Sequence, residues 1–77
     1  MQYDSNAIEI GIRLKKCREK TGKSLVETAE KLGVSSSALS MYESGERIPR
    51  DNIKIRLAQY YKVPIQTLFF TKEKHGT

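Results

Sequence analysis

The reactive side chains of this sequence do not form a catalytic or metal-binding set. The chain has a single cysteine, Cys17, and a single histidine, His75. Cys17 falls on an apolar stripe, which favours a small buried hydrophobe over a reactive thiol, and His75 stands alone in a polar stretch. Neither a Ser/His/Asp arrangement nor a glycine-rich phosphate loop is present. We therefore predict no enzyme activity, no metal site and no cofactor.

The charge of the chain favours a polyanionic partner such as nucleic acid. The 77 residues carry a net charge of +5 and the pI is about 9.5. Residues 10–24 carry a net +5 and residues 50–63 a net +3, whereas residues 25–49 carry a net −2. Contacts to phosphate are therefore expected largely from the flanks of the central segment.

The central segment, residues 24–45, predicts two short helices joined by a tight turn. Ser24 and Glu27 have the spacing of a capping box. Gly33 suits the left-handed end of the first helix, Ser35 can cap the second, and Gly45 ends it. The apolar positions expected to face the core are Val26, Ala29, Leu32, Leu39 and Tyr42.

The short turn and the small Ala29 favour a close, steep crossing of these two helices. That is the geometry of a helix-turn-helix, whose second helix can enter a DNA groove. An ordinary αα-hairpin in a small bundle is the alternative interpretation of the same pattern.

Helical spacing also predicts one helix before this pair and two after it. The first, at 8–21, has an apolar stripe formed by Ile10, Leu14, Cys17 and Thr21. Proline and the acidic Asp51 open the fourth, and Pro64 suits the start of the fifth. We predict an all-α fold, a compact five-helix bundle occupying residues 8–70, with flexible tails at 1–7 and 71–77.

Arg18 and Glu43 are candidates for a structural ion pair, although both could be solvated surface charges.

The adjacent Phe69 and Phe70 cannot both face one core, so one is expected to stay exposed or to meet a partner. A single cysteine, with neither a signal peptide nor an apolar run of membrane-spanning length, predicts a cytoplasmic protein without a membrane segment.

Several stretches resemble the phage-repressor-like helix-turn-helix family, the Cro and lambda-repressor type also called Xre-like. The matching stretches are IGIRLKKCREKTG, AEKLGVS, YESGERIP, LAQYYKV and TLF. The resemblance implies a lambda-repressor-like DNA-binding domain with residues 35–44 as the recognition helix. It also implies that Arg18 and Glu43 pair, as the corresponding residues do in the family.

The resemblance further implies roles for individual residues of the hairpin. Outward-facing residues of the recognition helix would address base edges: Ser36, Ser37, Ser40 and Met41. Contacts to phosphate would come from Lys23, Ser24, Ser35, Ser44 and Arg47. The chain departs from the family pattern at Leu25, where a DNA-contacting Gln is common, and at Thr28, where a core Leu is usual. The second departure suggests a slightly looser hairpin.

The function implied is that of a sequence-specific regulator of transcription that binds double-stranded DNA. We expect a repressor that binds a near-palindromic operator as a homodimer. The dimer candidates are Ile65, Phe69 and Phe70, with Ile8 or Ile12 as possible additions. The alternative is an antitoxin-like module that binds a protein partner first and DNA second.

Overall fold

The computed structural model describes residues 2–4 and 6–72, which form five helices between two short strands. In chain order these are β1 (Gln2–Asp4), α1 (Ala7–Thr21), α2 (Leu25–Leu32), α3 (Ser36–Ser44), α4 (Asp51–Tyr61), α5 (Ile65–Phe69) and β2 (Phe70–Lys72). The predicted five-helix fold is confirmed. Among the described residues, none of the helices has the length and hydrophobicity of a membrane-spanning segment.

The two strands pair antiparallel, with Gln2 opposite Lys72 and Asp4 opposite Phe70. Apart from Phe70, the strand residues fall in the predicted flexible tails at 1–7 and 71–77, and their pairing was not predicted. Strands of three residues are too short to show the alternation by which strands are recognised. Of the other predicted tail residues, Asn6 caps α1 and Ala7 begins it. Residues 1, 5 and 73–77, with His75, lie outside the described residues.

The ends of α2 and α3 form as predicted. The Glu27 amide donates to Ser24 Oγ at 3.1 Å, and the Ser24 amide donates to Glu27 Oε1 at 2.9 Å, which completes a capping box. Gly33 and Gly45 end the two helices with φ values of 76° and 86°, a left-handed conformation that glycine adopts without steric cost. The limits of both helices are therefore set by residues that are close to them in sequence.

The buried face of α2 differs from the predicted one at Val26, whose side chain is 56% exposed. Val26 and Leu32 are six residues apart, which places them about 120° from each other around a helix. Leu25, which is half-buried, and the buried Ala29 share a face with Leu32 instead. The assignment of Val26 to the core was therefore wrong.

Two threonines are held by backbone hydrogen bonds. Thr28 is fully buried, and its hydroxyl donates to the carbonyl of Ser24 at 2.9 Å, so burial leaves no donor unpaired. Thr21, predicted to lie on the core stripe, is exposed. Its hydroxyl donates to the carbonyl of Arg18 at 2.6 Å and accepts from the Lys23 amide at 3.1 Å. Thr21 thus closes the end of α1 and does not pack in the core.

All five helices contribute to one core. Its members are apolar side chains with at most 7% exposure. They are Ile10, Leu14, Ala29, Leu32, Leu39, Tyr42, Leu57, Ala58, Leu68 and Phe69.

The contact between α1 and α3 is unusually close at Gly11. A Cβ built at this position would overlap the carbonyl of Glu43 and lie 2.8 Å from the carbonyl oxygen of Tyr42. Only glycine allows the two backbones to approach this closely. Gly11 therefore sets the separation of α1 from the carboxyl end of α3.

A salt bridge joins the same two helices. Arg18 Nε donates to Glu43 Oε2 at 2.7 Å, and Arg18 Nη2 donates to Glu43 Oε1 at 3.1 Å. The two side chains are only 16% and 7% exposed. The hydrogen bonds that Arg18 donates to Glu43 raise the pKa of the Arg18 guanidinium, so the guanidinium stays charged. The predicted ion pair forms, and it is bidentate and largely buried.

We predict that Gly11→Ala destabilises the fold, although alanine normally favours a helix over glycine by about 1 kcal/mol. The clash with α3 should outweigh that gain and lower the free energy of unfolding by about 1–3 kcal/mol. Thermal melting should show a Tm lower by at least about 5 °C. The control is Lys16→Ala at an exposed position of α1. An unchanged or higher Tm for Gly11→Ala would contradict the close contact.

We predict that Arg18→Ala lowers the free energy of unfolding by about 3 kcal/mol, because it leaves the Glu43 carboxylate buried without its partner. Adding Glu43→Ala should recover part of this loss, since the double variant strands no charge. Urea unfolding of the two single variants and the double variant measures the coupling. Additive losses would argue against a coupled pair.

We predict that the contribution of Glu27 to stability falls at acid pH. The hydrogen bonds from the Ser24 amide and hydroxyl lower the pKa of the Glu27 carboxyl. Its contribution is therefore complete above the unfolded-state pKa of about 4.3 and is lost as pH falls towards the lower folded-state value. The Tm difference between wild type and Glu27→Gln should shrink below about pH 4, with Glu30→Gln as the control. A difference that stays constant down to pH 3 would contradict this.

Candidate nucleic-acid interface

Helix α3 presents one face to the core and the other to solvent. Leu39 and Tyr42 are buried, with 0% and 4% exposure. Ser37 and Ser40 lie on the opposite face and are exposed. The caps and the apolar pair of α3 therefore fix which of its side chains a large ligand can reach.

The residues predicted to address base edges lie together on this outward face. They are Ser36, Ser37, Ser40 and Met41. Ser36 and Met41 are half-buried, and all four line an open concavity of about 410 Å³. Its lining is completed by Leu25 from α2 and Glu46 from the loop after α3. We call this surface the reading concavity.

The residues predicted to contact phosphate lie on exposed positions around the hairpin. They are Lys23, Ser24, Ser35, Ser44 and Arg47. The hydroxyls of Ser24 and Ser35 accept hydrogen bonds from helix amides at 3.1 and 3.0 Å, so both already act as caps. The Arg47 guanidinium lies 5.7 Å from the centre of the Tyr42 ring. Among these five residues, Lys23 and Arg47 carry the positive charge.

Sequence reasoning missed Lys15 as a neighbour of this surface. The exposed Lys15 of α1 lines a second depression together with Leu25, Ser40 and Ser44. The Arg18–Glu43 pair forms the rest of that depression. The basic stretch 10–24 was expected to supply phosphate contacts, but only the packing of α1 on α3 shows which of its lysines borders α3.

Leu25 lies in both depressions, between α2 and the serines of α3. Its side chain is half-buried. It offers an apolar surface at the position where the family commonly has Gln, so the side chain cannot hydrogen-bond to a base or a phosphate. Leu25 and Met41 can instead contact the methyl group of a thymine.

Glu46 is the second residue that sequence reasoning missed, having been assigned only to a loop. Its amide donates to the carbonyl of Met41 at 2.9 Å, and its Oε2 lies 3.1 Å from Ser44 Oγ. The Ser44 hydroxyl is also 3.2 Å from the carbonyl of Met41. Ser44, predicted to contact phosphate, is therefore engaged within the protein, and a carboxylate borders the serines of α3.

The residues predicted to form the dimer contact differ in their burial. Phe69 is fully buried in the core, so its prediction as a dimer contact was wrong. Phe70 is half-buried, and the ammonium group of Lys54 lies 5.0 Å from the centre of its ring. Phe70, which follows the buried Phe69, therefore faces the ammonium group of Lys54 in α4.

An apolar groove runs between α4 and α5. The half-buried Ile65 lines it together with Ile55, which is 49% exposed, and with Val63 and Pro64. Ile8 and Ile12 are exposed on α1, at 64% and 49%. The groove and the α1 surface are therefore two separate apolar patches.

Burial raises the pKa of the Cys17 thiol, so the thiolate is disfavoured at neutral pH. Across residues 2–4 and 6–72, no group of three or more His, Cys, Asp or Glu side chains is placed to hold a metal ion. The chemistry open to the outward face of α3 is hydrogen bonding and apolar contact.

The chain matches known proteins both in sequence and in fold. The helix-turn-helix family model matches residues 14–68. An HTH-type transcriptional regulatory protein of Pyrococcus furiosus is 42% identical over 55 residues, which cover 71% of this chain and 18% of that protein. The HTH-type transcriptional regulator ImmR of Bacillus subtilis is 38% identical over 56 residues, which cover 73% of this chain and 44% of that protein.

Two solved DNA-binding domains of BldD have a similar fold. One matches with a TM-score of 0.70 and 31% identity, covering 82% of this chain and 92% of that domain. The other, from S. venezulae, matches with a TM-score of 0.71 and 31% identity, covering 82% of this chain and 94% of that domain. The chain spans less than half the length of the two regulators it matches, but nearly all of each domain.

The matched residues 14–68 include both helices of the hairpin, Gly33 between them and the Arg18–Glu43 pair. The chain belongs to the helix-turn-helix family of the phage-repressor, or Xre, type.

Proposed function

We propose that this protein is a sequence-specific regulator of transcription whose helix α3 enters the major groove of double-stranded DNA. The observation that carries the proposal is the outward face of α3, where small polar side chains surround the open reading concavity. A major groove about 12 Å wide admits an α-helix, and short side chains let that helix approach the base edges closely. The similarity to named regulators and to DNA-binding domains supports the same assignment.

Serine hydroxyls can donate or accept and therefore hydrogen-bond to several bases. Among the serines that line the reading concavity, Ser37 and Ser40 are exposed. Leu25 and Met41 add apolar surface that suits a thymine methyl group. These contacts supply modest discrimination at each base pair, and sequence-dependent DNA shape supplies the rest.

Contacts to the phosphate backbone fix the register of the protein and supply most of its salt-dependent affinity. Lys15, Lys23 and Arg47 are exposed cations at or beside the hairpin. The first turn of α2 is a further place for a phosphate, because the capping box uses the Ser24 and Glu27 amides and leaves those of Leu25 and Val26 without an intrahelical partner.

The regulator acts as a symmetric dimer that represses by occupying a near-palindromic operator. Dimers of this motif bind half-sites about 34–36 Å apart. The groove of Ile55, Val63, Pro64 and Ile65 offers the apolar surface for a second copy. Because Phe69 is in the core, this groove replaces the Phe69–Phe70 pair as the proposed contact.

We predict that the protein enriches a few DNA fragments sharing an inverted repeat when it is mixed with sheared genomic DNA at two salt concentrations. Ser37→Ala should change the preferred sequence without lowering the Tm, because Ser37 is exposed. Lys15→Ala should weaken binding to all sequences similarly. It should also reduce the slope of the logarithm of the binding constant against that of the salt concentration by about one. Uniform retention that collapses with salt would contradict sequence-specific binding and favour a module that binds a protein partner first.

We predict that sedimentation shows a dimer on DNA and that Ile55→Glu abolishes it. The matched control is Ile12→Glu, because both isoleucines are 49% exposed and lie on different patches. Ile12→Glu should leave the dimer intact. A strict monomer, both free and bound one per duplex, would contradict the dimer, and loss of the dimer only in Ile12→Glu would place it on α1.

A further inference from the structure

Glu46 brings a negative charge to the surface that faces DNA in the proposed function. It lines the reading concavity with five residues, none of which is a lysine or an arginine. No described Lys or Arg forms a salt bridge with it, whereas Glu43 is neutralised by Arg18. A carboxylate placed here repels the phosphates of any DNA that approaches, so its presence needs a compensating contact.

The position of Glu46 is fixed from two sides. Its backbone amide bonds to the Met41 carbonyl at 2.9 Å at the end of α3. Its carboxylate is 3.1 Å from the Ser44 hydroxyl through Oε2. The second carboxylate oxygen has no hydrogen bond within the described part of the chain and remains available as an acceptor.

A carboxylate is a hydrogen-bond acceptor only, so it needs a donor on the base edge. In the major groove guanine shows two acceptors, and thymine an acceptor beside its methyl group. Adenine has an amino donor, but the neighbouring N7 acceptor repels a carboxylate. Cytosine presents its N4 amino group without an acceptor beside it. Of the four bases, cytosine fits best.

We propose that Glu46 is a specificity-determining residue whose carboxylate accepts a hydrogen bond from the N4 amino group of a cytosine in each half-site. This inference rests on the proposed function. Where another base occupies that position, the carboxylate is desolvated without a donor, and binding is disfavoured. Glu46 thus adds discrimination that the serines of α3 cannot supply.

Glu46→Gln tests this role because the carboxamide has the same shape without the charge. Glutamine pairs with adenine through N6 and N7. The variant should therefore lose the cytosine preference at one position and shift towards adenine there, while the other positions keep their preference. Its affinity for random DNA should rise, because a repulsive charge is removed from the interface.

The experiment is a parallel selection of wild type, Glu46→Gln and the control Glu30→Gln on one pool of randomised duplexes. Glu30 is exposed on α2 and lies outside the reading concavity, so its variant matches the change in net charge. Wild type and Glu30→Gln should both enrich cytosine over the other bases at one position, by roughly fivefold or more. Glu46→Gln should lose this preference. Thermal melts of all three proteins confirm that they are folded.

Identical base preferences for all three proteins would overturn the role of Glu46 and leave the proposed function standing. A Glu46→Gln variant that weakens binding to every sequence equally would also overturn it. Enrichment of no sequence by any of the three would overturn the proposed function and this assignment together.

Discussion

The close packing of α1 on the carboxyl end of α3 is the constraint on which the proposed DNA-binding surface depends. Gly11 leaves space for the carbonyls of Tyr42 and Glu43. Seven residues further along α1, Arg18 forms a salt bridge with Glu43 of α3. Two different kinds of contact therefore hold α3 against α1. Holding α3 in one orientation before DNA arrives lowers the entropic cost of binding, because less freedom is lost in the complex.

The same packing decides which charges DNA would meet. The central segment 25–49 is acidic as a sequence, with a net charge of −2. In the structure the Glu43 carboxylate is 7% exposed and paired with Arg18, so it does not act as a free anion on the surface. Lys15 reaches the border of α3 from the basic stretch of α1. The anion left on the outward face is Glu46, beside the serines.

Features set by local sequence were predictable, and those set by packing were not. The capping box of Ser24 and the left-handed Gly33 follow from residues within one turn of each other, and both were predicted. The Arg18–Glu43 pair came from the family resemblance as well as from charge. Other features depend on contacts between distant segments, which no periodicity reveals. They are the helix separation at Gly11, the neighbours of Lys15 on α3 and the pairing of β1 with β2. The phosphate and base contacts themselves remain predictions.

The proposed function requires α3 and its borders to form the DNA-binding surface. Amide NMR shifts, followed while a selected duplex is added to labelled protein, show which residues meet the DNA. We expect the largest changes on Ser36–Ser44, on Leu25 and on Glu46, and little change at the groove of Ile55 and Pro64 beyond any effect of dimer formation. Changes concentrated at that groove, with α3 unaffected, would show that DNA does not bind through α3.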